Sequence, residues 1–131
     1  MRAGTAASAP PSAHTGLVDV IIDIHDRPDR PFRPLPLIAD AGFLELYSPR
    51  SVATSLALTR VATGRRAAYL GSLDMPARVH FAAGLAICRG AGAVVTDLHG
   101  GPTDSGRGLL AAADADTHAD LLRRISDQLA G

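Results

Sequence analysis

VHFAAGLAICRGAGAVVTDLHGGP, residues 79–102, is the stretch whose reading decides the fold. Phe81, Leu85 and Cys88 recur at i, i+4 and i+7, with Ile87 and Ala91 widening the stripe, so the spacing predicts a helix over 80–90. No charged residue interrupts Phe81 to Cys88, which predicts a helix covered on most of its surface. Gly90 and Gly92 supply positions that accept positive φ, where a helix stops and the chain turns back. Ala93 to Leu98 then has strand composition, and His99-Gly100-Gly101-Pro102 closes it with turn residues.

Downstream, small residues at 109–112 predict a strand, and Leu121, Leu122, Ile125 and Leu129 share one face of a helix over 117–130. Thr117-His118-Ala119-Asp120 resembles a capping box with Asp in place of Glu, and Arg123 and Arg124 read as that helix's solvated side. Upstream, residues 66–70 read as a strand and Gly71 to Arg78 as a loop. Ser48-Pro49 has the form of an N-cap followed by a proline in the first turn, predicting a helix over 49–63 that Gly64 ends. A helical turn within 37–42 and a short strand at 44–47 precede it.

Leu17 to Ile24 is β-branched and apolar, a strand over 18–24. Residues 26–36 alternate arginine and proline too densely for a helix or central strand and read as an extended connector. Its Arg27, Arg30 and Arg33 could line up as an anion-binding stripe, though ion pairs with Asp26 and Asp29 explain them more simply. Residues 1–16 are small, polar and aperiodic, the composition of a disordered tail ahead of one domain over 17–131. The expected class is α/β, a mixed sheet with covering helices.

Composition narrows the function. The chain has 131 residues, 47% hydrophobic and 20% charged, in the range of a folded domain. Thirteen basic and 13 acidic residues balance, so nothing points to nucleic acid or an anionic membrane. Every strong base is arginine; without lysine, neither a Schiff base nor a P-loop lysine can be built. Cys88 has no partner for a disulfide and reads as a buried thiol. No stretch approaches the ~20 apolar residues of a membrane helix, and no apolar segment follows Arg2, so a cytoplasmic setting is the expectation.

Asp19, Asp23, His25 and Asp26 suggest a metal site by residue type. On a strand, Asp19 and Asp23 share a face but lie about 13 Å apart, too far for one ion. Asp74, His80, Asp97 and His99 form a second loose set with no diagnostic spacing, and His99 reads as an exposed turn residue.

Taken together, Val79-His80, Ala82-Ala83-Gly84, Gly90-Ala91-Gly92, Val94-Val95-Thr96-Asp97 and Gly100-Gly101-Pro102 resemble the C-terminal half of the inositol monophosphatase family. Arg50-Ser51-Val52-Ala53-Thr54 and Val61-Ala62-Thr63-Gly64 resemble the helix preceding it, and the likeness extends over roughly residues 45–130. It implies the C-terminal layers of an α-β-α-β-α sandwich. It also implies Mg²⁺-dependent hydrolysis of a phosphorylated small molecule, with substrate contacts at Ala53, Thr54 and Ser55 and metal ligation at His80. Three departures coincide. The family's Glu-Glu and Asp-Pro-(Ile/Leu)-Asp-Gly-Thr motifs are not in this sequence, His80 stands where the family has a metal-binding aspartate, and Gly71 stands where an acidic residue recognises substrate. The chain alone is therefore expected to be a poor catalyst. It is either one lobe of an enzyme, completed as a homodimer or by a partner carrying the N-terminal half, or a non-catalytic module that binds a phosphorylated ligand or a protein. A truncated product without function is the remaining alternative.

Overall fold

Residues 10–21, 34–52, 56–71, 79–105 and 107–130 are described by a computed structural model. The deciding stretch folds as read: α4 spans Val79–Ala91 and β4 spans Val94–Thr96. Between them Gly92 adopts φ 95°, Ala93 N–H donates to Cys88 O at 3.0 Å and Gly92 N–H to Arg89 O at 3.1 Å. This pair of reversed hydrogen bonds satisfies carbonyls that a helix end leaves open.

Around it, β1 (Leu17–Ile21) is followed by α1 (Pro34–Ile38), α2 (Ala41–Leu46), β2 (Ser48–Val52), α3 (Leu56–Ala62) and β3 (Ala68–Gly71). After α4 and β4 come β5 (Leu109–Ala112) and α5 (Ala115–Ala130). The strands form one five-stranded sheet in the order β2-β1-β3-β5-β4. β1 pairs in parallel with both β2 and β3, and β5 runs antiparallel to β3 and β4. The fold is α/β with a mixed sheet, as expected.

Alternation along the strands divides the core. Val18, Val20, Ala68, Leu70, Leu110 and Ala112 face α1, α2 and α5 through Leu37, Phe43, Leu121 and Ile125. Ile21, Tyr69, Leu109 and Ala111 face α3 and α4 through Leu58, Val61, Leu85 and Cys88. With side chains standing alternately on either face of a strand, both faces must be covered by helices. Helices α3 and α4 approach so closely that a Cβ on Gly84 would lie 2.8 Å from Leu58 Cδ1. Cys88 is fully buried here, its thiol donating to Leu58 O at 3.1 Å, and burial pushes it up to about 11. It should therefore resist a thiol reagent at pH 8 in the folded protein and react fully in guanidinium.

Three expectations fail. Residues 44–47 are not a strand: Asp40 caps α2 by accepting the Phe43 N–H at 2.9 Å, and Phe43 stacks on Tyr47 with centroids 5.1 Å apart. Ser48-Pro49 does not start a helix, because both residues lie in β2, opposite Leu17 and Val18. Proline is tolerated there because β2 is an edge strand, with one side free of ladder bonds. Helix α5 is capped three residues earlier than read, by Asp114 Oδ1 accepting the Thr117 N–H at 2.7 Å. Residues 10–16 run alongside the fold, and Gly64, which ends the α3 turn at φ 80°, meets the Pro10 carbonyl.

Candidate functional site

Strands β1, β2, β3 and β4 all point the same way, so the segments that follow them leave the sheet on one edge. From β1 the chain reaches β2 through α1 and α2 on one face, then returns to β3 through α3 on the other. The carboxyl ends of β1 and β3 thus form a topological switch point, where open α/β sheets bind ligands because the loops diverge and leave a crevice. Helices α3 and α4 return from this edge, directing their N–H ends toward it.

The best-defined part of the edge is the loop from Asp97 to Arg107. Asp97 is 1% exposed, and its Oδ1 accepts the N–H groups of His99 and Gly101, both at 2.7 Å. Its Oδ2 accepts the Ser105 hydroxyl at 2.7 Å. Burial alone would raise this carboxyl, but the Ser105 hydroxyl and the Gly101 and His99 N–H groups outweigh it, so it sits below the ordinary carboxylate range. The loop closes where Leu98 N–H donates to Arg107 O at 3.3 Å. Gly108, at φ 80°, brings its backbone against the end of β3, where a Cβ would fall 2.5 Å from Gly71 O. Gly108→Ala is expected to cost about 2 kcal/mol from left-handed strain and contact with that carbonyl; urea denaturation checks it.

Helix α5 buttresses the loop. His118 is 9% exposed, and its Nε2 lies 2.8 Å from Thr96 Oγ1, which donates to Asp97 O at 2.8 Å. Arg89 of α4 donates to the Thr103 hydroxyl at 2.9 Å. Sequence reading missed the organising role of Asp97 and the His118–Thr96 pair. An aspartate ahead of a Gly-Gly turn is a signal for the first, since Asp caps nearby N–H groups. No local pattern signals the second.

Of the residues singled out from sequence, Ala53, Thr54 and Ser55 lie outside the described residues, as do Asp23, His25, Asp26, Asp74 and the arginines at 27, 30 and 33. His80 is the second residue of α4, at the switch-point edge, and its side chain lies outside the description. Asp19 is an ion-pair residue, accepting Arg66 Nε at 3.0 Å. His99 is exposed, as read, although its N–H serves the loop. Arg124 is not a solvated side chain: it binds Asp120 at 3.0 Å and lies 3.7 Å from Asp40, tying α5 to α2. Nor is α4 mostly covered. Gly84, Leu85 and Cys88 are buried, whereas Ala82, Ala83, Ala86, Ile87, Gly90 and Ala91 are exposed.

The described residues fit magnesium poorly. Among the described residues no three His, Cys, Asp or Glu side chains are grouped to hold an ion, and Asp97 has both oxygens engaged by its own loop. Among them, too, no helix is long and apolar enough to cross a membrane.

The family model described as the inositol monophosphatase family matches residues 23–130. The chain belongs to that family. Its fold is similar to inositol monophosphatase from Anabaena (Nostoc) sp. PCC 7120, with TM-score 0.69 and 22% identity over 92% of this chain and 46% of that one. The IMPase of Thermotoga maritima gives TM-score 0.69 and 16% identity over 95% and 44%. A Ca-bound IMPase family protein from Staphylococcus aureus gives 0.64 and 18% over 89% and 42%. The chain spans less than half the length of these inositol monophosphatase relatives. Comparison with the curated proteins returns no match.

Proposed function

We propose that this chain is the substrate-side lobe of an inositol-monophosphatase-type phosphomonoesterase, binding a phosphorylated small molecule at the carboxyl edge of β1 and β3. The observation that carries the reading is the switch point itself, with the helix N-termini of α3 and α4 directed at an edge where an anion is favoured. In this reading Ala53, Thr54 and Ser55 present backbone and hydroxyl donors to the ligand, and His80 contacts it or a metal from the start of α4. A helix N-terminus disfavours a cation, and a neutral imidazole there would suit a hydrogen bond or Zn²⁺ better than Mg²⁺. Metal-assisted hydrolysis needs a set of hard oxygen ligands. The described residues do not assemble one, so a second lobe supplies the carboxylates and the chain alone binds without efficient turnover. The exposed face of α4 from Ala82 to Ala91, uncharged except for Arg89, is the surface offered to that lobe, whether on a partner polypeptide or a second copy. A cytoplasmic setting belongs to the same reading.

Titration of the ¹⁵N-labelled protein with inositol monophosphate, with and without Mg²⁺, tests it. Amide shifts should cluster at Gly71, Asp97 to Gly101 and the first turn of α4, without phosphate release. His80→Asp should strengthen the magnesium dependence of binding. Shifts confined to the opposite edge, or rapid magnesium-dependent turnover by the chain alone, would overturn the proposal.

A further inference from the structure

We infer that the cleft between α1, the start of α2 and α5 binds a small zwitterion of the apolar amino-acid class, on the face of the sheet opposite α3 and α4. The cleft encloses about 420 Å³, and Asp40, Arg123, Arg124 and Asp127 line it beside Pro36 and Leu37. That volume is in the range of small-molecule sites, which join a few placed polar groups to an apolar wall. The two guanidiniums are set by Asp120, one turn earlier on α5. Its carboxylate accepts Arg123 Nη2 at 2.6 Å and Arg124 Nε at 3.0 Å, and the Tyr47 hydroxyl donates to it at 2.7 Å. Gly42 completes the seat for Arg124, since a Cβ there would lie 3.1 Å from Nη1 and 3.3 Å from Asp40 Oδ2.

Toward the cleft the pairing is loose. Arg124 Nη1 lies 3.7 Å from Asp40 Oδ2 and Arg123 Nη1 lies 3.9 Å from Asp127 Oδ2, both beyond hydrogen-bond length. Asp40 Oδ2 is already engaged by the Phe43 N–H at 2.9 Å. Among the described residues the terminal nitrogens of Arg124 donate no hydrogen bond, although the side chain is only 17% exposed. Guanidinium N–H groups drawn this far from water call for a planar acceptor, and a carboxylate takes two of them at once. Charge then selects the rest of the ligand. A plain anion on the arginines would be set against Asp40 and Asp127, and a plain cation on the aspartates against Arg123 and Arg124. A molecule carrying both charges a few bonds apart answers both signs and leaves the net charge of the cleft unchanged. Pro36 and Leu37 supply the apolar wall, which suits a hydrocarbon side chain rather than a polar one. The cleft and its ligand are independent of the proposed phosphate site.

The test is a titration of the ¹⁵N-labelled protein with L-leucine, isocaproate and isoamylamine, which share one hydrocarbon chain and carry both charges, the negative one or the positive one. Leucine should give saturable amide shifts at Asp40 to Phe43 and Arg123 to Gln128, with an affinity at least about tenfold above either single-charge analogue. Arg124→Gln should weaken leucine by about tenfold. Asp127→Asn, at an exposed position that the fold does not need, should weaken leucine while bringing isocaproate closer to it, because the opposing carboxylate has gone. Gly42→Ala, which favours the helix but crowds Nη1, should weaken leucine as well. Shifts that stay linear to about 20 mM, an analogue that binds as tightly as leucine, or an Asp127→Asn protein that treats all three ligands as the wild type does would overturn the assignment, whatever the protein does with phosphate.

Discussion

Arg66→Ala should destabilise the protein by about 3–5 kcal/mol, the largest single loss expected. Asp19 lies in β1 with no exposed surface, on the face covered by α3, and Arg66 Nε donates to its Oδ1 at 3.0 Å. Among the described residues its other cationic neighbour is Arg60, 3.9 Å away and itself more than a third exposed. Removing Arg66 leaves a carboxylate inside the sheet with one distant, solvated counter-charge. Tyr69, opposite Asp19 in the register, reports how that charge is felt: burial, then the Asp19 charge, raises its phenol. Urea denaturation of Arg66→Ala, Asp19→Asn and the double variant measures the pair. The double variant should be more stable than Arg66→Ala alone, because the uncompensated charge has gone. A loss below about 1 kcal/mol, the size of a surface pair, would show that the pair does not anchor β1.

The second large effect belongs to Asp97. Asp97→Ala leaves two N–H groups and a hydroxyl of a part-buried turn without their acceptor, at an expected cost of about 2–3 kcal/mol. Asp97→Asn should cost less, since the amide keeps an acceptor oxygen but sets its NH₂ against a donor. The effect should also depend on pH. The folded carboxyl lies below its ordinary value, so its contribution is full above about pH 4 and is withdrawn as pH falls further. Acid unfolding of the wild type should thus be steeper than that of Asp97→Asn. Equal slopes would remove Asp97 from the acid transition.

How much of this was written in the sequence depends on whether a residue's partner is near in the chain. The α4 helix, the Gly92 stop and β4 were legible because their hydrogen bonds close within a few residues, whereas Ile87 and Ala91, read into the buried stripe of α4, are exposed. Gly64 was legible for the same reason. Ser48-Pro49 misled because one dipeptide suits both a helix start and an edge strand, and only the pairing of Ser48 with Leu17 decides. Leu44, Glu45 and Leu46 misled because Asp40, four residues upstream of Leu44, caps a helix that their composition does not advertise. At the candidate site, the Gly-Gly-Pro frame pointed to the family, whereas the grip of Asp97 on it and the His118 contact require tertiary structure. The exposed face of α4 shows the limit of the apolar pattern. A run without charges looks buried, yet alanine and glycine leave so little area that exposure costs little.

The strand order carries a consequence for how the chain assembles. β1 is made first but sits between two strands that arrive much later, Leu17 meeting Ser48 and Val18 meeting Ala68. No two neighbouring strands of the parallel half are joined by a hairpin, so loop closure has to precede nearly every pairing that rewards it. Nucleation is left to the later half, where α4 and β4 pack through a tight turn and β5 leads directly into α5. Refolding should accordingly run on the slow scale of non-local topologies, with β1 among the last strands to gain protection from hydrogen exchange although it ends inside the sheet, between β2 and β3.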